Sequence, residues 1–393
     1  MARLALRASA GVLAIVLAAC DEPAALLPDG GGSPDASVAP PWPFPLPPGL
    51  PTPRLPPGMR LTAELAELGR HLFYDTRLSG NGTQSCATCH LQEKAFTDGR
   101  VVPIGSTGQT LERNAMSLTN VAYNPNQTWA SSVLVHLEQQ ALVPMFGDNP
   151  VELGITGHEE TVLGRFRADA RYQELFAAAF PDEADAFTFE NIVAALGAFE
   201  RRLISGRSAL DRYRQGDLAA MSESALRGEE LFFSEVLECH HCHGGFNFTI
   251  AVDHARLSEP SVAFFNTGLY NVGGTGAYPT HDQGLYDVTE DLADRGRFRP
   301  PTLRNIALTA PYMHDGSMAT LDEVIRFYER GGRLIESGPY AGDGKLSPYK
   351  SPFVNGFTLT DQQRADLLAF LEALTDVAFV TDPTLSDPFA PAP

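Results

Sequence analysis

Cys86-Ala87-Thr88-Cys89-His90 and, further along, Cys239-His240-His241-Cys242-His243 are the stretches on which this chain turns. On a helical turn, positions i, i+3 and i+4 share one face. Two thiols and an imidazole so spaced can form two thioethers to a haem edge and offer the adjacent ring to its iron, the attachment pattern of c-type haem. A single such motif would also suit a redox dithiol or half a zinc site. Two copies point to two covalent haems, and four of the chain's five cysteines lie in them.

Outward from each motif the chain repeats itself. Leu61-Thr62-Ala63-Glu64 opens an amphipathic helix with Thr62 as N-cap, and Leu65, Leu68, Leu72 and Phe73 follow at helical spacing. That helix carries Gly69-Arg70-His71-Leu72-Phe73-Tyr74, and a fainter copy, Gly228-Glu229-Glu230-Leu231-Phe232-Phe233, precedes the second motif. Such duplication predicts a mainly α fold of two cytochrome c-like domains, residues 60–210 and 211–380, each with one covalent haem, the haems facing an interdomain region. Thr188 predicts the cap of a helix through Ile192, Val193, Leu196 and Phe199, and a last helix is expected over 360–374. The Gly- and Asn-rich stretch after His243 reads as long loops with little strand.

The amino terminus has Arg3 and Arg7, then an apolar run from Ala10 to Ala19 too short to span a membrane stably. Residues 1–19 read as a signal peptide. Leu17-Ala18-Ala19-Cys20 resembles a bacterial lipobox, which would lipidate Cys20; an ordinary secretory signal cut near Ala19 is the alternative. Both export the chain. Asp21 slightly favours retention at the inner membrane. Residues 20–59, with ten prolines between 40 and 57, read as an extended tether of poor order, with Trp42 a linker aromatic. Residues 381–393 read as a frayed tail. The formal charge of −19 argues against nucleic acid and against adhesion to anionic lipid, so membrane contact is expected through the lipid anchor only, on the periplasmic side.

From Leu68 through Ser79, the first haem motif, Ala95-Phe96-Thr97-Asp98-Gly99, Arg113-Asn114, Trp129, Gln140 to Glu152, the second motif and Pro301-Thr302-Leu303-Arg304-Asn305 to Gly316, the chain resembles the bacterial dihaem cytochrome c peroxidase and MauG superfamily. Arg70 to Arg77, Gly82 to Cys86 and Val143-Pro144-Met145-Phe146-Gly147 are most like the methanobactin-associated (MbnH) MauG-like enzymes. The resemblance implies that His90 and His243 bind the irons, that Gln140 and Glu152 serve peroxide cleavage with Pro144 as the pocket proline, and that Trp129 lies between the haems. A calcium ion would be held by Asn114 and the carbonyls of Thr309 and Pro311. Reductively activated relatives carry a distal histidine before the Arg-Asn pair; Pro103-Ile104-Gly105-Ser106-Thr107-Gly108 has none, which implies an open first haem. His136 and His158 match no ligand of the family, and His71 reads as a packing residue.

The family's second-haem ligand lies 14 residues after the histidine of Pro311-Tyr312-Met313-His314-Asp315-Gly316, at Tyr328. Tyrosine there is the MauG-like choice; Met313, Met318 or a histidine are the alternatives. Anionic oxygen favours high-valent iron and thioether sulphur ferrous iron. The expected function is peroxide-dependent oxidation of a partner-protein side chain, tryptophan foremost, through a high-valent two-haem state. The rivals are a cytochrome c peroxidase fed by small electron donors such as a cytochrome or cupredoxin, a non-catalytic dihaem electron carrier, and a peroxide sensor or scavenger with no dedicated partner.

Overall fold

Helix α1 (Ala63–Tyr74) starts where Thr62 Oγ1 accepts the Leu65 N–H, and it buries Leu65, Leu68, Leu72 and Phe73 on one face. In the computed structural model, which describes residues 42–390, twelve further α-helices follow. They are α2 (Cys86–Cys89), α3 (Leu137–Phe146), α4 (Glu159–Arg167), α5 (Ala170–Ala179), α6 (Phe189–Glu200) and α7 (Ala209–Arg214). Then come α8 (Glu223–Phe232), α9 (His240–His243), α10 (Tyr286–Thr289), α11 (Leu321–Arg330), α12 (Asp361–Glu372) and α13 (Val377–Val380). Sheet among the described residues is one antiparallel pair, β1 (Leu334–Ile335) on β2 (Gly342–Asp343), with Leu334 opposite Asp343. The signal-peptide and Cys20 readings lie outside the described residues.

The duplication is visible in packing. Helix α1 lies on α6 so closely that a Cβ on Gly69 would stand 1.8 Å from the Ala195 carbonyl oxygen. Helix α8 lies on α12 the same way, with a Gly228 Cβ 2.0 Å from the Asp366 oxygen. Four residues beyond each glycine a phenylalanine meets its counterpart, Phe73 on Phe199 at 5.1 Å and Phe232 on Phe370 at 5.2 Å between ring centroids. Each half has its own apolar core around one of these pairs. Gly69→Ala therefore forces α1 off α6. It is expected to cost about 1–3 kcal/mol, as overpacking does, read as a lowered midpoint in thermal unfolding followed by circular dichroism.

A buried polar knot joins the halves. Asn120 donates to the Ser205 carbonyl and to Asn247 Oδ1, Asn305 donates to Ser205 Oγ, and Asp376 accepts the N–H groups of Gly206 and Arg207. Arg304 clamps Asp211 with two hydrogen bonds, 2.7 and 3.0 Å, both residues being buried. Its Pro-Thr-Leu-Arg-Asn motif is thus structural.

Two expectations are corrected. Residues 42–59 are packed against the body instead of extending from it. Leu50 and Leu55 are buried, the Tyr123 hydroxyl donates to the Pro51 carbonyl, and Arg54 pairs with Asp253 at 2.9 Å. Trp42 and Phe44 lie against the first core. The carboxyl-terminal segment through 390 is also docked: Phe379 and Leu385 enter the first core and Tyr74 donates to the Leu385 carbonyl. Apolar side chains spaced through a proline-rich segment, here Pro47, Leu50, Pro51, Pro53 and Leu55, are enough to bury it.

Candidate active site

Each motif histidine is held by one carbonyl. His90 Nδ1 is 2.8 Å from the Phe96 oxygen and His243 Nδ1 is 3.1 Å from the Phe248 oxygen. Both phenylalanines are fully buried and both take left-handed backbone, φ 62° and 49°, an uncommon state for a bulky residue that aims the carbonyl at the ring. Burial lowers both histidines, His243 to about 4. A neutral imidazole donating from Nδ1 keeps the Nε2 lone pair free, the state in which histidine ligates a metal. Burial also pushes Cys89, Cys239 and Cys242 up to about 12 and Cys86 higher. None is a reactive thiolate, which speaks against a redox dithiol.

A cavity of about 1640 Å³, its open mouth included, is lined by Cys239, Cys242, His243, Tyr328 and Trp129. Burial, together with Cys242 and Cys239, raises the Tyr328 phenol well above its usual range, and its hydroxyl has no hydrogen-bond partner among the described residues. A phenol so placed ionises against a bound cation. Met313 also lines the cavity, whereas Met318 is buried in a neighbouring apolar cluster. His314 lies on the wall too, but stacks on Phe298 at 3.7 Å.

Arg299 lines the same cavity, fully desolvated, with its pKa lowered to about 10 by burial. Its guanidinium meets Thr128 O, Asn124 Oδ1 and Met116 Sδ and, among the described residues, no carboxylate. A buried cation without an acid beside an apolar cavity fits an anionic edge such as a haem propionate. Trp129 Nε1 donates to the Asn114 carbonyl at 2.9 Å. Asn114, Thr309 and Pro311 all line this cavity. The Asn114 side-chain nitrogen is used by Arg100 O and Val101 O, leaving Oδ1 as a neutral oxygen donor of the kind calcium accepts.

At the first motif, Gln140 and Pro144 lie four apart on α3, and so on one face. After the Asn149–Pro150 turn the chain folds back, with Leu153 N–H donating to Pro144 O and Ile155 N–H to Met145 O. This brings Glu152 to the electrostatic neighbourhood of Cys86 and Cys89. Two glycines pin it. A Cβ on Gly105 would stand 1.8 Å from Val151 O, and one on Gly80 2.0 Å from Gly154 O. The histidine-free loop 103–108 is a tight turn whose Ser106 N–H donates to Glu152 O. Of the other histidines, His136 precedes α3, His158 is exposed ahead of α4, and His71 is buried edge-on to Tyr172 and Phe389.

Burial pushes the Glu152 carboxyl up to about 7. Its base form is therefore lost as pH falls through 7. The rate of reaction with peroxide is expected to rise with pH to a plateau, with a midpoint near 7 that Glu152→Gln removes, measured by stopped-flow absorbance. Sequence reasoning missed Glu200 on α6, which is buried near Cys86 and raised to about 8 by desolvation, and it missed Arg299. Neither stands in a motif.

The profile of the di-haem cytochrome c peroxidase family matches residues 63–219. Cytochrome-c peroxidase IdrP1 of Denitromonas iodatirespirans is 34% identical over 87% of this chain and 88% of its own length. Methylamine utilization protein MauG of Methylorubrum extorquens is 31% identical, over 83% of this chain and 82% of its own. Among solved structures, a MauG-like protein associated with microbial copper homeostasis is 51% identical, covers 89% of this chain and all of its own, and has a TM-score of 0.86. Family membership implies two c-type haems, and the paired histidines, the apolar cavity and the unpaired arginine fit them. The chain belongs to the dihaem cytochrome c peroxidase and MauG family, the peroxide-dependent oxidoreductases.

Proposed function

We propose that this enzyme is MauG-like, of the methanobactin-associated kind, and uses hydrogen peroxide to oxidise a partner protein's side chain, tryptophan foremost, at a distance. The observation that carries the reading is Tyr328, a phenol with no hydrogen-bond partner among the described residues, in the cavity that holds Cys239, Cys242 and His243. The likeness to a MauG-like protein associated with copper homeostasis supports the subgroup.

When bound, the two haems supply peroxide reduction and storage of two oxidising equivalents. His90 and His243 would hold the irons, and Tyr328 would be a further ligand to the second. The 103–108 loop would offer the first iron no histidine. Glu152 takes a proton from peroxide and returns it to the departing oxygen, with Gln140 as hydrogen-bond partner. Pro144 shapes that pocket. Trp129 carries electrons between the halves. Asn114, Thr309 and Pro311 bind calcium. One peroxide becomes two waters while two electrons and two protons leave the partner.

The halves 60–210 and 211–380 serve as two cytochrome c-like domains with their haems facing the region between them. The chain works on the periplasmic side of a bacterial membrane, anchored by lipid at Cys20; no helix among the described residues is long and apolar enough to cross a membrane. Its partners are peroxide, the substrate protein and a cytochrome or cupredoxin donor, and its negative charge disfavours nucleic acid.

The test is peroxide added to enzyme and periplasmic extract, with tryptophan oxidation mapped by mass spectrometry. One protein oxidised at a defined residue, by wild type and not by Tyr328→Met, supports the reading. Steady consumption of peroxide with reduced cytochrome and no modified protein overturns it in favour of a plain peroxidase, the activity named for several relatives.

A further inference from the structure

The second haem motif carries two histidines that the haem does not need. His240 and His241 fill the positions between Cys239 and Cys242, and a turn earlier stand Glu235 and Glu238. Donor atoms of Glu235, His240 and His241 all lie within 4.8 Å of one another. His241 Nε2 is 3.2 Å from Glu235 Oε2 and 2.8 Å from Glu238 Oε2, and His240 Nε2 is 3.5 Å from Glu235 Oε1. Donors around a tetrahedral zinc-class ion with bonds of about 2.0–2.1 Å are about 3.3 Å apart, so these separations are close to those of a bound site.

The hydrogen bonding joins only part of the cluster. His241 Nε2 has one hydrogen to give, and its bond geometry is with Glu235. Glu238 Oε2, buried and only 2.8 Å from the same nitrogen, has no hydrogen-bond partner. A single hydrogen on His241 serves Glu235 alone, whereas one cation can be shared by Glu235, His240 and His241; Glu238 lies beside that set and outside it. The rings are also set in place. His241 stacks on Phe353 at 4.5 Å and 10°, and His240 lies 4.2 Å from His241.

We propose that Glu235, His240 and His241 form a divalent-cation site on the surface turn that bears the second haem. Two imidazole nitrogens with carboxylate oxygens select the zinc and copper(II) class over calcium or magnesium, which take oxygen alone. None of Glu235, His240 and His241 lines the cavity that holds Asn114, Thr309 and Pro311, and the existence of the site does not depend on the activity proposed above.

Zinc is the suitable probe, because it is redox-silent beside the haems. The holoprotein is dialysed to equilibrium against Zn²⁺, then assayed for zinc and iron by elemental analysis. Wild type is expected to retain one zinc for every two irons. Glu235→Gln lies outside the Cys-x-x-Cys-His sequence and off the haem cavity, and it is expected to weaken zinc at least about tenfold with iron content and the Soret band unchanged. His241→Gln should do the same. No zinc retained by wild type, or equal retention by Glu235→Gln, overturns the assignment.

Discussion

Tyr328→Met is expected to abolish peroxide-driven oxidation of the partner while both haems stay attached. The side chain stands in the cavity with Cys239, Cys242 and His243, and its hydroxyl has no hydrogen-bond partner among the described residues, so the change leaves no polar group stranded. Methionine fills similar space with little loss of packing. On the proposed ligation, what changes is the ligand: a thioether stabilises ferrous iron where a phenolate stabilises oxidised iron. Axial ligands tune haem potentials over about 0.8 V. A swap worth only about 0.12 V would already shift the equilibrium about 10²-fold at 59 mV per decade. The assay is modified partner per peroxide consumed. A variant as active as wild type would contradict the ligand assignment.

Glu152→Gln is expected to slow the reaction with peroxide by about 10²–10⁴-fold, the usual range for loss of a general acid–base group. The carboxyl is poised for both halves of that role because burial lifts it to about 7. Gln keeps the shape and loses the proton exchange. Glu200 supplies the control. It is more deeply buried and held to about 8, so at neutral pH it is largely the neutral acid that glutamine imitates. Glu200→Gln should change the rate little. Equal losses in the two variants would mean that burial of a carboxyl near Cys86, and not Glu152 itself, matters. A smaller backbone test is Gly105→Ala, which collides with Val151 O and displaces Glu152 without altering it.

Much of this was legible because the signals are local. Thr62 and Thr188 each accept a backbone N–H at the start of the helix they were expected to cap. The repeated Gly-x-x-x-Phe has a one-dimensional signature, and its cause is the helix-on-helix contact made by Gly69 and Gly228. Other features have no such signature. Phe96 and Phe248 aim their carbonyls by adopting left-handed backbone, which nothing in a phenylalanine announces. Arg299 and Glu200 are defined by the partners they lack, and burial is a property of the whole fold. The long segment after His243 is ordered by side-chain-to-backbone bonds, such as Asn271 Nδ2 to Asp343 O, that carry no period. Composition misled at both ends: proline-rich sequence suggested a free tether and a frayed tail, yet Leu55 and Leu385 are buried in the first core.

Electron paramagnetic resonance of the ferric holoprotein, before and after one equivalent of peroxide, tests the central claim most directly. An open first iron and a Tyr328-bound second iron predict one high-spin and one low-spin signal, both lost on peroxide without prior reduction. Two low-spin signals that ignore peroxide until the protein is reduced would contradict the account.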